Sequence, residues 1–187
     1  ASQPDWMTDF FNPIYESTRS RRHDYGAGGI IDYRDWLDTH WCDYPDVDMS
    51  SEDYALYLSG CGGTWKYWLT DFLIEMSVRM EPMGTLRPDN RWTFGFTGLG
   101  GSGFYPEGVI VVPDSSFGSI NLPDAYYSPE NYNRIIIVVK GYDTALVIND
   151  QPIYYVSLEP ASKNGLAGFS AGETIIFEYI NIWDLNK

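Results

Sequence analysis

Nine consecutive residues, Phe72-Leu73-Ile74-Glu75-Met76-Ser77-Val78-Arg79-Met80, place the tightest limit on what this chain can fold into. Phe72, Ile74, Met76, Val78 and Met80 fall on one face at period two, and Glu75, Ser77 and Arg79 fall on the other. That period belongs to a pleated strand with one buried side, and a helix cannot satisfy it. The pattern recurs downstream. Trp92 to Phe96 and Gly108 to Val112 read as two further strands, and Arg134 to Lys140, with five β-branched residues between charged ends, reads as a central strand covered on both faces. Thr144 to Ile148 and Ile153 to Leu158 form a hairpin about Asn149-Asp150, a pair able to take the positive φ values of a tight turn. Leu166 to Phe169 and Ile175 to Trp183 complete the series. Many short strands without an intervening helical period predict an antiparallel two-sheet sandwich.

Other stretches read less regularly. The segment Gly98-Leu99-Gly100-Gly101-Ser102-Gly103 lacks the Gly-Lys-Ser/Thr of a phosphate loop, so it is expected to be a flexible or tightly turning connection. Asp9-Phe10-Phe11-Asn12-Pro13 is expected to open a strand that ends at Pro13, with Pro4 and Pro13 disfavouring a helix. Tyr54 to Leu58 alternates like a strand, which is preferred to a short helix capped from Ser50-Ser51-Glu52-Asp53. No repeat and no long linker divides the chain. The expectation is one all-β domain over 1–187, with 1–16 as an arm or first strand and 17–53 as an irregular, aromatic-rich insertion.

The closing section resembles the concanavalin A-like or laminin G-like jelly rolls of secreted bacterial proteins, the DUF1080 type among them. The residues that bear the likeness are Asn133 to Gly141, Val147-Ile148-Asn149-Asp150, Gly165-Leu166-Ala167-Gly168-Phe169 and Phe177-Glu178-Tyr179-Ile180-Asn181-Ile182-Trp183. Asp71 to Met76, Trp92 to Phe96 and Asp9 to Pro13 resemble the family's paired and opening strands. Asp150 stands where that family usually has Gly, and Ser17 to Asp53 matches nothing in it. The resemblance implies a jelly-roll fold and leaves function open, because its motifs serve turns and core.

Charge narrows the partners. Twelve Lys and Arg stand against 26 Asp and Glu, a net charge of −14 that repels nucleic-acid phosphates and anionic lipid surfaces. No run reaches the ~20 apolar residues of a membrane-spanning helix. Cys42 and Cys61 enclose 18 residues rich in Gly, Asp and Tyr, and we expect them to form a disulfide. Closing such a loop would stabilise the fold by about 3 kcal/mol in an oxidising compartment. The opening Ala1-Ser2-Gln3-Pro4 has no initiator Met, as in an exported protein after its signal is removed. A secreted, extracellular or cell-surface location is therefore expected.

Few residues offer catalytic chemistry. A laminarinase-like Glu-x-Asp-x-x-Glu strand is missing: Glu75-Met76-Ser77-Val78-Arg79 lacks the partner carboxylates, so Glu75 is expected to be a solvated strand residue. His23 and His40 have no motif around them, and neither Gly-x-Ser-x-Gly nor HExxH occurs. Asp43 to Asp53 packs oxygen ligands at alternate positions; it reads as an exposed acidic loop or as a calcium site, with Asp46 and Asp48 as the ligands.

The aromatic content is high, with seven Trp, 15 Tyr and nine Phe, fourteen of them before Leu69. Trp6, Phe10 and Phe11 are candidates for contact with a neighbouring subunit. Trp65, Tyr67 and Trp68 are candidates for a sugar-stacking platform, though alternate aromatics also fill cores.

These features support three functions. The first is a non-catalytic structural subunit of an extracellular assembly, joined to copies of itself through edge strands and an N-terminal arm. The alternative is a carbohydrate-binding module or lectin, either with calcium or without it. An enzyme acting on polysaccharide comes third.

Overall fold

The computed structural model describes residues 2–28, 37–39, 46–48, 55–58, 61–65, 69–81, 92–97, 100–104, 109–111, 119–121, 126–128, 130–157, 165–171 and 174–187. After a helical N-terminal segment come the strands β1 (Tyr25–Gly28), β2 (Leu37–Thr39), β3 (Asp46–Asp48), β4 (Ala55–Leu58), β5 (Cys61–Trp65), β6 (Phe72–Glu81), β7 (Trp92–Thr97), β8 (Gly100–Phe104), β9 (Val109–Val111) and β10 (Ser119–Asn121). The remainder are β11 (Asn133–Lys140), β12 (Asp143–Ile148), β13 (Gln151–Ser157), β14 (Gly165–Ala171) and β15 (Thr174–Asp184).

They form an antiparallel sandwich. One sheet has 8 strands and runs β13-β12-β11-β6-β15, beyond which β4 and β3 follow, and β1 also pairs with β15. The other has 7 strands in the order β10-β9-β8-β7-β14-β5-β2. The alternation of β6 is realised directly: Phe72, Ile74, Met76, Val78 and Met80 are all buried, as are Ile135, Ile137 and Val139 of β11 on the same inner face. Burying one such side chain contributes roughly 1.5–3 kcal/mol, so this face is the main source of stability.

Two expectations about irregular sequence change. Gly100–Phe104 is a strand, paired with β7 on one side and β9 on the other, where a flexible connection was expected. Ladder bonds on both edges hold a glycine-rich backbone that has little strand preference of its own. Likewise the 17–53 region is only partly irregular, because it supplies the end of a helix and β1, β2 and β3 to both sheets. Tyr54 to Leu58 does contain the expected strand, β4.

The larger correction lies at the N-terminus. Residues 5–19 are helical: a π-helical turn (Met7–Phe11) runs into α1 (Asn12–Arg19), so Asp9 to Pro13 is not a strand. Pro13 lacks the N–H that would bond back to the Asp9 carbonyl, and its ring crowds that carbonyl. Widening the preceding turn removes the conflict. The Asn12 N–H reaches five residues back to the Met7 carbonyl, and Pro13 sits in the first turn of α1, where no N–H is needed.

The helix buries Met7, Phe11, Tyr15 and Thr18, spaced by four, four and three residues, against the outer face of the first sheet. There Met7, Phe11 and Tyr15 meet Leu73, Ile136, Val138, Ala145, Val147 and Trp183. Phe11 stacks on Tyr15 at 5.5 Å, while Trp6 stacks on Tyr155 at 5.8 Å with Phe10 edge-on to the same ring at 5.7 Å. The segment is thus spent on its own sheet.

Beyond the helix the chain is clipped to β15. Arg21 donates from Nη2 to the Asp184 carbonyl at 2.7 Å, and Trp183 Nε1 donates to the Arg21 carbonyl at 3.1 Å.

Turns at the sheet ends follow the sequence closely. Asn149 (φ 48) and Asp150 (φ 65) both take the left-handed conformation, as the Asn-Asp pair predicts. Buried Asn133, 2% exposed, ties this turn to the preceding loop. Its Nδ2 donates to the carbonyls of Ser128 and Asn131, both at 2.7 Å, and its Oδ1 accepts from Asn149 Nδ2 at 3.0 Å.

Candidate functional site

Outer-face positions of β6 run Leu73, Glu75, Ser77, Arg79, from apolar to polar. The helix covers the apolar end, and Tyr15 marks the boundary, since its ring belongs to the helix-sheet core while its hydroxyl points onward to Glu75. Past that boundary the face is polar.

Glu75 is the centre of the polar region. Tyr15 Oη donates to Glu75 Oε2 at 3.0 Å and Tyr179 Oη donates to Oε1 at 3.3 Å, while Arg134 Nη1 lies 3.9 Å from Oε1. The cross-strand register explains the convergence. Glu75 lies opposite Ile136 on β11 and Asn181 on β15, which puts Arg134 and Tyr179 one outer-face position further along on either side. Arg134 also pairs with Asp150 through Nη2 and donates from Nη1 to Tyr15 Oη at 3.4 Å.

The Glu75 side chain is only 14% exposed. The expectation of a solvated strand residue is therefore corrected. Its partners come from positions 60 residues before and 104 residues after it, which no local pattern could reveal.

The electrostatics are consistent with that geometry. Burial raises the Tyr15 phenol above its ordinary value, and the charge and hydrogen bond of Glu75 raise it further, with Arg134 and Arg19 pulling the other way. Tyr179 is raised for the same reasons in the same order, burial first and then Glu75. Both hydroxyls consequently stay protonated and serve as donors to the carboxylate.

Around this centre Ser77 Oγ donates to Glu178 Oε2 at 2.6 Å, and Arg79 lies over the half-exposed Tyr132 ring at 5.4 Å. A carboxylate oxygen has lone pairs beyond the one a tyrosine occupies, and a guanidinium has five N–H donors. Together they present acceptors and donors in fixed positions beside an aromatic ring, a set suited to binding polyhydroxylated molecules.

The residues singled out from sequence fall elsewhere. Phe11 is 3% exposed, and the partly buried Trp6 and Phe10 pack on Tyr155, so these three cover their own sheet. Asp46 and Asp48 lie within β3, opposite Tyr57 and Ala55, where an exposed loop was expected; pairing with β4 imposes the strand. Trp65 ends β5 opposite Leu37, and Cys61 begins it opposite Ala171. Cys42, Tyr67 and Trp68 lie outside the described residues.

No protein-family profile and no curated protein matches the sequence. Solved structures do match its fold. A sialidase superposes with a TM-score of 0.63 at 8% identity, over 88% of this chain and 19% of the sialidase chain. A Bacteroides ovatus mixed-linkage-glucan GH16 protein in complex with a product gives 0.58 at 10% identity, over 84% of this chain and 99% of that one. The Emp47p carbohydrate recognition domain gives 0.54 at 12% identity, over 86% and 95%. At such identities the likeness is one of fold, and it agrees with the resemblance of the closing strands: the chain has a jelly-roll sandwich fold like that of concanavalin A-like domains.

Proposed function

We propose that this sandwich is a secreted, non-catalytic carbohydrate-binding protein that contacts sugar hydroxyls through the Glu75 cluster. The observation behind the reading is the carboxylate held between two tyrosine hydroxyls and a guanidinium on the outer face of the first sheet, beyond the end of the helix-covered apolar patch. Charge-assisted hydrogen bonds from fixed partners are how neutral polyols are held against competition from water. The fold adds support, since its neighbours include a protein described as a carbohydrate recognition domain and a mixed-linkage-glucan GH16 protein in complex with a product. Binding is preferred to hydrolysis because both oxygens of Glu75 already accept hydroxyl donors, whereas a glycosidase needs two carboxylates placed across a bound sugar.

This reading takes precedence over an assembly subunit. The N-terminal segment that would have been the donor arm lies on its own sheet.

Affinity electrophoresis through neutral and acidic polysaccharides, with calcium and with a chelator, tests the proposal. Retention by a neutral glycan is expected, with Glu75→Gln weakening it at least about tenfold. If no polysaccharide retards the protein in either condition, the reading is wrong. Retention abolished by the chelator would favour a calcium site, for which Asp46 and Asp48 remain the candidates.

A further inference from the structure

A cavity of about 310 Å³ lies where the helix meets the ends of the sheet. Its walls are Ile14, Ser17 and Thr18 of α1, Arg21 just past it, Lys140 at the end of β11, and Leu185 and Lys187 after β15. Three of the walls are cations and none is a carboxylate, although acids outnumber bases more than two to one along the chain.

Two of the cations are held in place. Arg21 is anchored to the Asp184 carbonyl and lies 3.5 Å from Asp24, and Lys187 donates to Tyr25 Oη at 3.0 Å with its ammonium 4.7 Å from that ring. The neighbouring acids also accept backbone N–H groups: Asp24 Oδ2, the oxygen that faces Arg21, accepts the Asp184 N–H, Asp71 accepts the Gly141 N–H, and Asp184 accepts the Asn186 N–H. Lys140 is exposed. Tyr142, two residues further on in the same turn, is 54% exposed, the most open large aromatic among the described residues.

We propose that this cavity binds the anionic group of an acidic saccharide. The proposal rests on the carbohydrate-binding reading and assigns it a second subsite with a different preference. Arg21, Lys140 and Lys187 would take the carboxylate or sulfate oxygens, and Ile14 and Leu185 supply an apolar wall for the C–H face of a ring. A bare inorganic anion would leave that wall unused. Three walls of the cavity come from α1, so the helix that closes the outer core also shapes the subsite.

The test compares polygalacturonate, a sulfated galactan and a neutral β-glucan in affinity electrophoresis at about 0.15 M salt, where repulsion between the acidic protein and a polyanion is screened beyond ~8 Å. Running the carboxylated and sulfated polymers side by side identifies which anion is preferred. The variant is Lys140→Ala/Lys187→Ala, whose native-like melting is checked by circular dichroism. Retention by at least one acidic polymer is expected, weakened about tenfold or more in the double variant. The double variant should keep wild-type retention by the neutral glucan. Acidic polymers that hold wild type no better than the glucan, or that hold the double variant equally well, overturn the cationic subsite and leave carbohydrate binding standing. Absence of retention by all three overturns both.

Discussion

The two tyrosines that face Glu75 titrate in a direction whose sign can be worked out. Free tyrosine ionises near 10.0, and both Tyr15 and Tyr179 are raised above that value in the folded chain. Below pH 10 the phenols are neutral in folded and unfolded chains alike, so their contribution is fully present. As pH rises past 10 the unfolded chain ionises first, and stability is lost progressively toward the folded-state values. In Glu75→Gln the charge and the strong acceptor disappear while burial remains. Both phenols should then ionise earlier than in wild type, though still later than free tyrosine. Phenolate absorbance followed during an alkaline titration measures this; coincident curves for the two proteins would show that the hydroxyls do not sense Glu75. The alternation of β6 predicted which face Glu75 occupies, but its partners were not legible. A residue's neighbours across a sheet depend on register, and the register here includes an irregularity at Phe177/Tyr179 that resets the spacing around Tyr179.

At the scale of elements, the helical N-terminus is where local signals compete most clearly. Met7, Phe11 and Tyr15 are spaced by four, the period of one helical face, yet two prolines and two adjacent phenylalanines also suggest an extended segment. What decides between them is long-range. Leu73, Ile136, Val138 and Ala145 leave an apolar patch on the outer face of the sheet, and only the helical arrangement covers it. Phe11→Ala should therefore cost about 3–5 kcal/mol, as for other large buried aromatics, read from the midpoint of urea denaturation. A loss below ~1 kcal/mol would mean that the helix is a loosely attached appendage. Of the strands in the second half, β7, β9 and β11 to β15 were legible to within about two residues, because alternation or a continuous β-branched run announces them, whereas β10 (Ser119–Asn121) was missed. β8, by contrast, owes its structure to its neighbours, and its own glycines say little.

The whole molecule combines a high negative charge with an uneven distribution of its cations. At −14 the folded chain repels itself, so its melting temperature should rise as salt is increased from a few millimolar toward ~0.15 M, measured by differential scanning calorimetry. A fall instead would mean that local pairs such as Arg134 with Glu75 and Asp150 outweigh the general repulsion. Composition gave the sign of that field but not its texture; the cationic cavity exists because three distant segments end at one corner of the fold. The position of β15 has a further consequence, for biosynthesis. It lies between β6 on one side and β1 and β4 on the other, yet it leaves the ribosome about a hundred residues after β6. Until then one edge of β6 is an open template and the surface that receives the helix lacks Trp183. A nascent chain in that state is a natural client for a holding chaperone, and a nonsense codon anywhere before β15 removes a strand from the middle of the sheet instead of trimming its edge.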